Sequence, residues 1–368
     1  MSWEAVCKRL GRAPEEIYKE ICQDLFRLGV ANNFELSAIA GGASNRGYLR
    51  VRFDSQASRQ SLVIMVLSQL NPKQGIEEVV DGSVELKELP FLNVQRYFYA
   101  LGIAVPKVFY TNQQAGLIYL EDLGDILLRD ELIKADYERK KELLTLAIDE
   151  LLKIHLQTSS LSASDFIGFK VRFDRDLLRW ELEHFKEWAL IKRGIKITSS
   201  DLRLLDECFE KIVSELVSTP YLLSHRDYHI DNLLIHQGRI RVIDFQDALM
   251  APYPYDLASL LYDRDTSQIL GLSLIEEMVR YYFERACELG WEPHSFEQYE
   301  RCFNLCLVHR SFKVVGRFYF LAEAKAKPEY LKFLPAVYQV LSQALSRFEE
   351  FYPVKQMLSS YLPELAGV

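Results

Sequence analysis

Apolar residues at Val6, Leu10, Ile17, Ile21, Leu25 and Leu28 recur at helical spacing and predict a helix over residues 3–29, broken by Asn32-Asn33. The pattern then switches to β-type runs at residues 34–40, 48–53 and 61–67. Residues 41–47 join the first two runs as a Gly-rich link suited to a hairpin with a permissive backbone. A helix at 91–101 and short strands at 107–111 and 116–120 follow. Beyond Gly124 the texture changes. Helical patterning dominates, at 137–155, 176–192, 201–218, 257–262, 274–289, 296–321 and 330–351. A single β-rich island interrupts it at 232–244. The expected architecture is α+β, with a small β-rich N-terminal lobe (1–121) and a larger helical C-terminal lobe (122–368).

Composition narrows the partners. At 368 residues, with 49% hydrophobic and 26% charged residues, the chain reads as folded and long enough for two packed units. A net charge of -8 argues against nucleic acid or an anionic membrane surface as partner, while leaving room for a local cationic pocket. No apolar run is long enough to cross a bilayer. The charged, helix-patterned N-terminus does not read as a signal peptide, and six scattered cysteines suit free thiols in a reducing compartment. The expectation is a cytoplasmic protein. Cys302, Cys306 and His309 share a helix face, and apolar packing explains that face better than a metal site.

The chemistry is concentrated in His225-Arg226-Asp227-Tyr228-His229-Ile230-Asp231-Asn232, followed after a hairpin pattern by Ile243-Asp244-Phe245. A hairpin centred on His236-Gln237-Gly238-Arg239 would return Asp244 towards Asn232. Phosphoryl transfer needs such a set: one carboxylate to orient the acceptor hydroxyl and take its proton, and an oxygen ligand and second carboxylate for magnesium on the phosphates. The interval from Asp227 to Asn232, then a hairpin, then Asp-Phe, matches a kinase catalytic loop and metal-binding segment. Asp227 is accordingly the expected catalytic base, and Asn232 and Asp244 the expected magnesium ligands. His225 would brace the loop. In the Gly-rich link, backbone amides with Gly42, Ser44, Asn45 and Arg46 would close over the triphosphate of ATP. At the lobe junction, the strand ending at Glu121-Asp122-Leu123-Gly124 would present its main chain, at Glu121 and Leu123, to adenine.

These residues resemble the aminoglycoside phosphotransferase superfamily, a relative of the protein kinases. Within it they are most similar to the bacterial anomeric sugar kinases that phosphorylate N-acetylmuramate and N-acetylglucosamine in cell-wall recycling. The similarity spans most of the chain. It runs through Gly42-Ala43-Ser44-Asn45-Arg46, Pro90-Phe91-Leu92, Leu120-Glu121-Asp122-Leu123-Gly124-Asp125, residues 181–194 with Trp188, and residues 225–232. It continues in Asp244-Phe245-Gln246-Asp247-Ala248, Tyr255-Asp256-Leu257 and residues 310–316. The resemblance implies a protein-kinase-like two-lobed fold. It also implies an ATP- and Mg2+-dependent phosphotransferase acting on the anomeric hydroxyl of an N-acetylated amino sugar.

The chain departs from the wider kinase pattern in its third strand. Met65 stands where a lysine would hold the α- and β-phosphates, and the helix at 91–101 has no glutamate to pair with one. Loss of both together avoids a lone buried charge. Arg46 or Arg50 could replace the lysine, and Gly47 stands where the sugar-kinase branch often has a second basic residue. Candidates for the acceptor pocket are Glu183, Trp188, Arg310 and His229, since a sugar ring needs an aromatic plane and polar groups. Asp247 is a further candidate. Asp256 is expected to cap the helix at Leu257 and steady the catalytic loop. Competing readings are another small-alcohol kinase, for choline, homoserine or an aminoglycoside, and a nucleotide-binding pseudokinase scaffold suggested by Met65.

Overall fold

A computed structural model describes residues 2–30, 33–39, 46–55, 58–68, 88–158, 165–291 and 295–366. The chain forms two compact units: Met1–Asp125 with Arg241–Gln246, and Ile126–Ile240 with Asp247–Val368. The expected division at 121/122 thus falls at 125/126, and the short segment Arg241–Gln246 returns to the first unit.

In the first unit, the single helix expected over 3–29 is two, α1 (Trp3–Arg9) and α2 (Pro14–Arg27). Gly11 at φ +71° turns the chain, and Pro14, which has no N–H to give to a preceding turn, opens the second helix. The sheet comprises β1 (Phe34–Ile39), β2 (Arg46–Ser55) and β3 (Ser58–Leu67), then, after α3 (Pro90–Ala100), β4 (Val108–Asn112) and β5 (Leu117–Glu121). Its order is β1-β2-β3-β5-β4, antiparallel throughout. Alternation sends Leu49 and Val51 of β2, Leu62, Ile64 and Val66 of β3, and Leu117 and Tyr119 of β5 to one face. There they pack on Val6, Leu10, Ile17, Ile21 and Leu25 of α1 and α2. A Cβ at Gly47 would lie 2.4 Å from Val6 Cγ1 and 2.8 Å from Leu10 Cδ1, so the close approach of α1 accounts for glycine here. Buried Asp24 ties α2 to the sheet, accepting from Tyr119 Oη and Asn112 Nδ2, both at 2.9 Å.

The second unit is mostly helical: α4 (Leu128–Lys134), α5 (Tyr137–Gln157), α6 (Arg175–Phe185) and α7 (Ser199–Val217) lead to the catalytic loop. Asp136 and Asp174 cap α5 and α6 by accepting from the N–H of Arg139 and Leu177, each at 2.9 Å. The strands β6 (Tyr221–Ser224), β7 (Leu233–His236), β8 (Arg239–Val242) and β9 (Leu249–Pro252) follow. β7 and β8 pair across Gln237 and Gly238, whose φ of +51° and +73° suit a tight hairpin turn of the primed kind. The antiparallel pair β6–β9, four residues a side, was not legible from periodicity. Then come α8 (Tyr255–Tyr262), α9 (Thr266–Leu270), α10 (Leu272–Glu288), α11 (Phe296–Ala324), α12 (Leu334–Ser346), α13 (Tyr352–Tyr361) and α14 (Pro363–Ala366). α6 continues as a π-helical turn at Lys186–Ile191. Gly316 lets α11 cross it closely: a Cβ there would sit 2.7 Å from Phe185 N and 2.8 Å from the His184 carbonyl. Cys302, Cys306 and His309 are buried on α11, where a His309 ring N–H donates to Leu178 O at 3.1 Å. Among the described residues no helix is long and apolar enough to cross a membrane.

Candidate active site

Arg46 and Arg50 lie on one face of β2 in the first unit, with Tyr48 between them and Arg52 beyond, opposite the helix-covered face. Arg50 is committed. Its guanidinium donates to Asp122 at 2.7 and 3.0 Å, to both carboxylate oxygens of Asp125 at 2.8 Å, and to Gly124 O at 3.2 Å. It therefore braces the segment after β5, and burial of this charge is offset by the two carboxylates. Arg46, about 13 Å further along the strand, lines a small hollow with Met65, Leu89, Pro90, Phe91 and Ile118. Its Nη1 stands 4.0 Å from Asp244 Oδ1. Met65 is fully buried in that hollow, in register with Tyr48. Gly42, Ser44 and Asn45 lie outside the described residues.

Asp244 is itself held open. It adopts φ +63°, a left-handed conformation unusual for a residue with a side chain, and its side chain remains 48% exposed. The next residue anchors it: Phe245 is fully buried and packs on Phe91 and Phe98 of α3, with ring centroids 5.0 and 5.9 Å away. On the other side Gln246 Nε2 donates to Asp244 Oδ1 at 3.0 Å. Arg241 secures the start of the segment, donating to Val105 O at 3.0 Å and to Glu121 at 2.9 and 2.5 Å. The Glu121 side chain is thereby used within the unit, and Leu123 is buried.

The expected catalytic loop, residues 225–232, lies in the second unit between β6 and β7. Asp256 is the second residue of α8, not the cap expected for it. Pro254 occupies the cap position, so the Asp256 carboxylate is directed at the loop instead, accepting from the N–H of His225 at 2.6 Å and of Arg226 at 3.0 Å. Burial opposes its charge, and His155, His225 and Ser224 outweigh that and hold it below the usual carboxylate range. His225 is fully buried, edge-on to Tyr228. Arg226 takes φ +77°, a second strained backbone position beside the expected chemistry.

Asp227 is half-buried. Burial acts against its ionisation, yet Lys313, Arg226, Arg310 and His229 outweigh it and hold it well below the usual range. Its carbonyl accepts from Asn232 Nδ2 at 3.0 Å, a bond that does not use the Asn232 amide oxygen. His229 is buried, its ring 3.4 Å from Asn232 Nδ2, and burial lowers its pKa. Asp231 anchors the loop from below, bound by Arg129 Nε at 2.7 Å and by the Arg264 guanidinium.

The acceptor candidates separate. Arg310 is buried, and its guanidinium donates to Arg226 O at 3.0 Å and faces Asp263 at 3.4 Å, so it serves the loop backbone. Glu183 is taken up by Arg179 at 2.5 Å and Lys186 at 2.7 Å. Trp188 sits in the π-helical turn, edge-on to Phe320 at 5.0 Å. On α6 the carboxylate that reaches this loop is Glu181, two residues before Glu183. It accepts from Lys313 Nζ at 2.8 Å and from Arg226 at 3.2 Å. Burial opposes its charge, but Lys313 and Arg226 hold its pKa at about 2. Neither Glu181 nor Lys313 was singled out from sequence. The signal was present, however, in Glu181 lying on the buried stripe of Leu178, Leu182 and Phe185.

A five-stranded antiparallel sheet and a mostly helical remainder make this a kinase-like α+β fold. Residues 35–296 match the profile described as the phosphotransferase enzyme family, and the chain belongs to that family. It is an ATP-dependent small-molecule kinase. An N-acetylmuramate/N-acetylglucosamine kinase of Neisseria meningitidis is 29% identical to it over 338 residues, 91% of this chain and 92% of that protein. A protein of the same name from Pseudomonas aeruginosa is 28% identical over 277 residues, covering 75% and 78% of the two chains. Among solved structures, a choline kinase from Streptococcus pneumoniae has a TM-score of 0.56 at 15% identity, covering 89% of this chain and 99% of its own, a likeness of fold.

Proposed function

We propose that the chain transfers the γ-phosphoryl group of ATP to the anomeric hydroxyl of N-acetylmuramate or N-acetylglucosamine. The observation carrying this reading is similarity, over about nine-tenths of both chains, to a kinase named for those two sugars. Asp227 orients the acceptor hydroxyl and accepts its proton as the phosphoryl group moves. An anomeric hydroxyl is more acidic than an ordinary alcohol because the ring oxygen withdraws electron density. That suits a carboxylate held strongly ionised by Lys313, Arg226 and Arg310.

Asn232 and Asp244 are the proposed magnesium ligands. The donor set fits: Asn232 directs its Nδ2 to Asp227 O, which leaves its amide oxygen for a hard cation, and the Asp244 carboxylate is half exposed. When bound, magnesium would neutralise charge on the β- and γ-phosphates. Arg46 is the proposed replacement for the strand lysine, because Arg50 is already spent on Asp122 and Asp125. Gly42, Ser44 and Asn45 join Arg46 around the phosphates, and the main chain at Glu121 and Leu123 meets adenine. His229 and Trp188 are proposed on the acceptor side, with Asp256, His225 and Arg310 supporting the loop.

Phosphorus NMR of the product tests the reading. N-Acetylglucosamine or N-acetylmuramate with ATP and magnesium should give a sugar 1-phosphate, the 1-O-methyl glycoside should be inert, and the 6-deoxy sugar should react. A 6-phosphate, or a phosphorylated methyl glycoside, would exclude the anomeric assignment.

A further inference from the structure

Arg226, the residue before Asp227, is tethered at every polar group of its backbone. Its N–H donates to Ser224 Oγ and Asp256 Oδ1, both at 3.0 Å, and its carbonyl accepts from Arg310 at 3.0 Å. Its φ is +77°. The guanidinium is fixed separately, by Glu181 of α6, and Glu181 is fixed in turn by Lys313 of α11. Lys313 Nζ also donates to Tyr255 Oη at 3.1 Å. The charged and titratable groups around this point include Glu181 on α6, Arg310 and Lys313 on α11, Tyr255 and Asp256 on α8, and Asp227 in the loop. A buried ion pair is weak evidence for stability, because an apolar pair of similar volume often serves as well. The Glu181–Lys313 pair therefore calls for another explanation.

We propose that Glu181 and Lys313 are positioning residues for phosphoryl transfer, Lys313 fixing Glu181, Glu181 fixing the Arg226 guanidinium, and Arg226 setting the direction of the Asp227 carboxylate. The mechanical link is short. Asp227 follows Arg226 in the chain, so any relaxation of the left-handed backbone at Arg226 swings the adjoining carboxylate. A displacement of about 1 Å at a reacting group costs up to about a hundredfold in rate. Lys313 also carries the positive charge that acts most strongly on Asp227. The inference rests on Asp227 being the acceptor-orienting base.

Steady-state kinetics on the full chain, with melting temperatures measured alongside, test it. Lys313→Met and Glu181→Gln should each lower kcat by about tenfold or more, with KM for ATP and for the sugar within about twofold of the parent. Lys313→Arg, which can still place a cation on Glu181, should keep kcat within about threefold. A parental kcat in Lys313→Met, an Arg variant as impaired as the Met variant, or a loss confined to KM would overturn the proposal. If Lys313→Met does not fold, Glu181→Gln and Lys313→Arg carry the comparison: a low kcat in the first and a near-parental one in the second support it, and the reverse overturns it. Asp227→Asn measured in parallel keeps the two readings apart. A fully active Asp227→Asn removes the base assignment, whereas an inactive one beside normal Glu181 and Lys313 variants removes only the positioning proposal.

Discussion

Asp227 and Asp244 are exposed to opposite demands, and their surroundings differ accordingly. Asp227 is ringed by cations that keep it ionised while half-buried, whereas Asp244 projects from a strained turn with nearly half its side chain in solvent. Their substitutions should therefore fail differently. Asp227→Asn keeps the shape and removes the proposed proton acceptor, so kcat should fall by about a hundredfold or more with nucleotide affinity little changed. Asp244→Ala removes the proposed metal carboxylate, and calorimetric titration should show ATP binding that no longer responds to magnesium. Unchanged magnesium dependence in that variant would shift the ligand role to Asp247.

Helix crossings decide whether Glu181 and Lys313 meet. α6 and α11 bring Glu181 and Lys313 together because Gly316 admits the backbone of His184 and Phe185 to within 2.8 Å of where a Cβ would sit. Backbone cannot rotate away. At Gly47, by contrast, the nearest atoms are the ends of the Val6 and Leu10 side chains, which can change rotamer. Gly316→Ala should accordingly lose about 1–3 kcal/mol, within the usual cost of overpacking, and lower kcat as the Glu181–Lys313 geometry shifts. Gly47→Ala should cost less. Urea denaturation of both variants gives the order directly, and the opposite order would contradict this account of the crossing.

For the whole molecule, acid should destabilise from an unusually high pH. Burial lowers the pKa of His309 to about 4, with Glu181 opposing the shift and Lys313 and Arg310 adding to it. An unfolded histidine titrates near about 6.5. Between those values the unfolded chain binds a proton that the folded chain does not, so stability falls as pH drops from about 6.5 to about 4. Burial of His229 acts in the same direction. Glu181 contributes later: its ion pairs support the fold above about 4.3 and are lost as pH falls through about 2. Melting temperature should decline already between about pH 7 and pH 6. His309→Asn should flatten that first decline, and an identical slope in the variant would exclude His309 as its source.

Much of this was determined by the sequence alone. The period-2 runs of the sheet, the long helices and the Gln237-Gly238 hairpin are local properties, set by side-chain alternation and turn chemistry within a few residues. The interval from Asp227 through Asn232 to Asp244 was readable because it is a distance along the chain. Tertiary structure decided what depends on partners far apart in sequence. The helical spacing from Val6 to Leu28 is continuous across Gly11 and Pro14, and only the turn between α1 and α2 shows that one face can serve two helices. β6 and β9 are too short for periodicity and exist because they pair with each other. Arg46 and Arg50 look equivalent in sequence, yet Asp122 and Asp125 claim one of them. Glu181 and Glu183 differ by two positions on α6, about half a helical turn. That rotation carries one inward to Lys313 and Arg226 and leaves the other with Arg179 and Lys186, because the charge that makes a buried glutamate tolerable comes from another part of the chain.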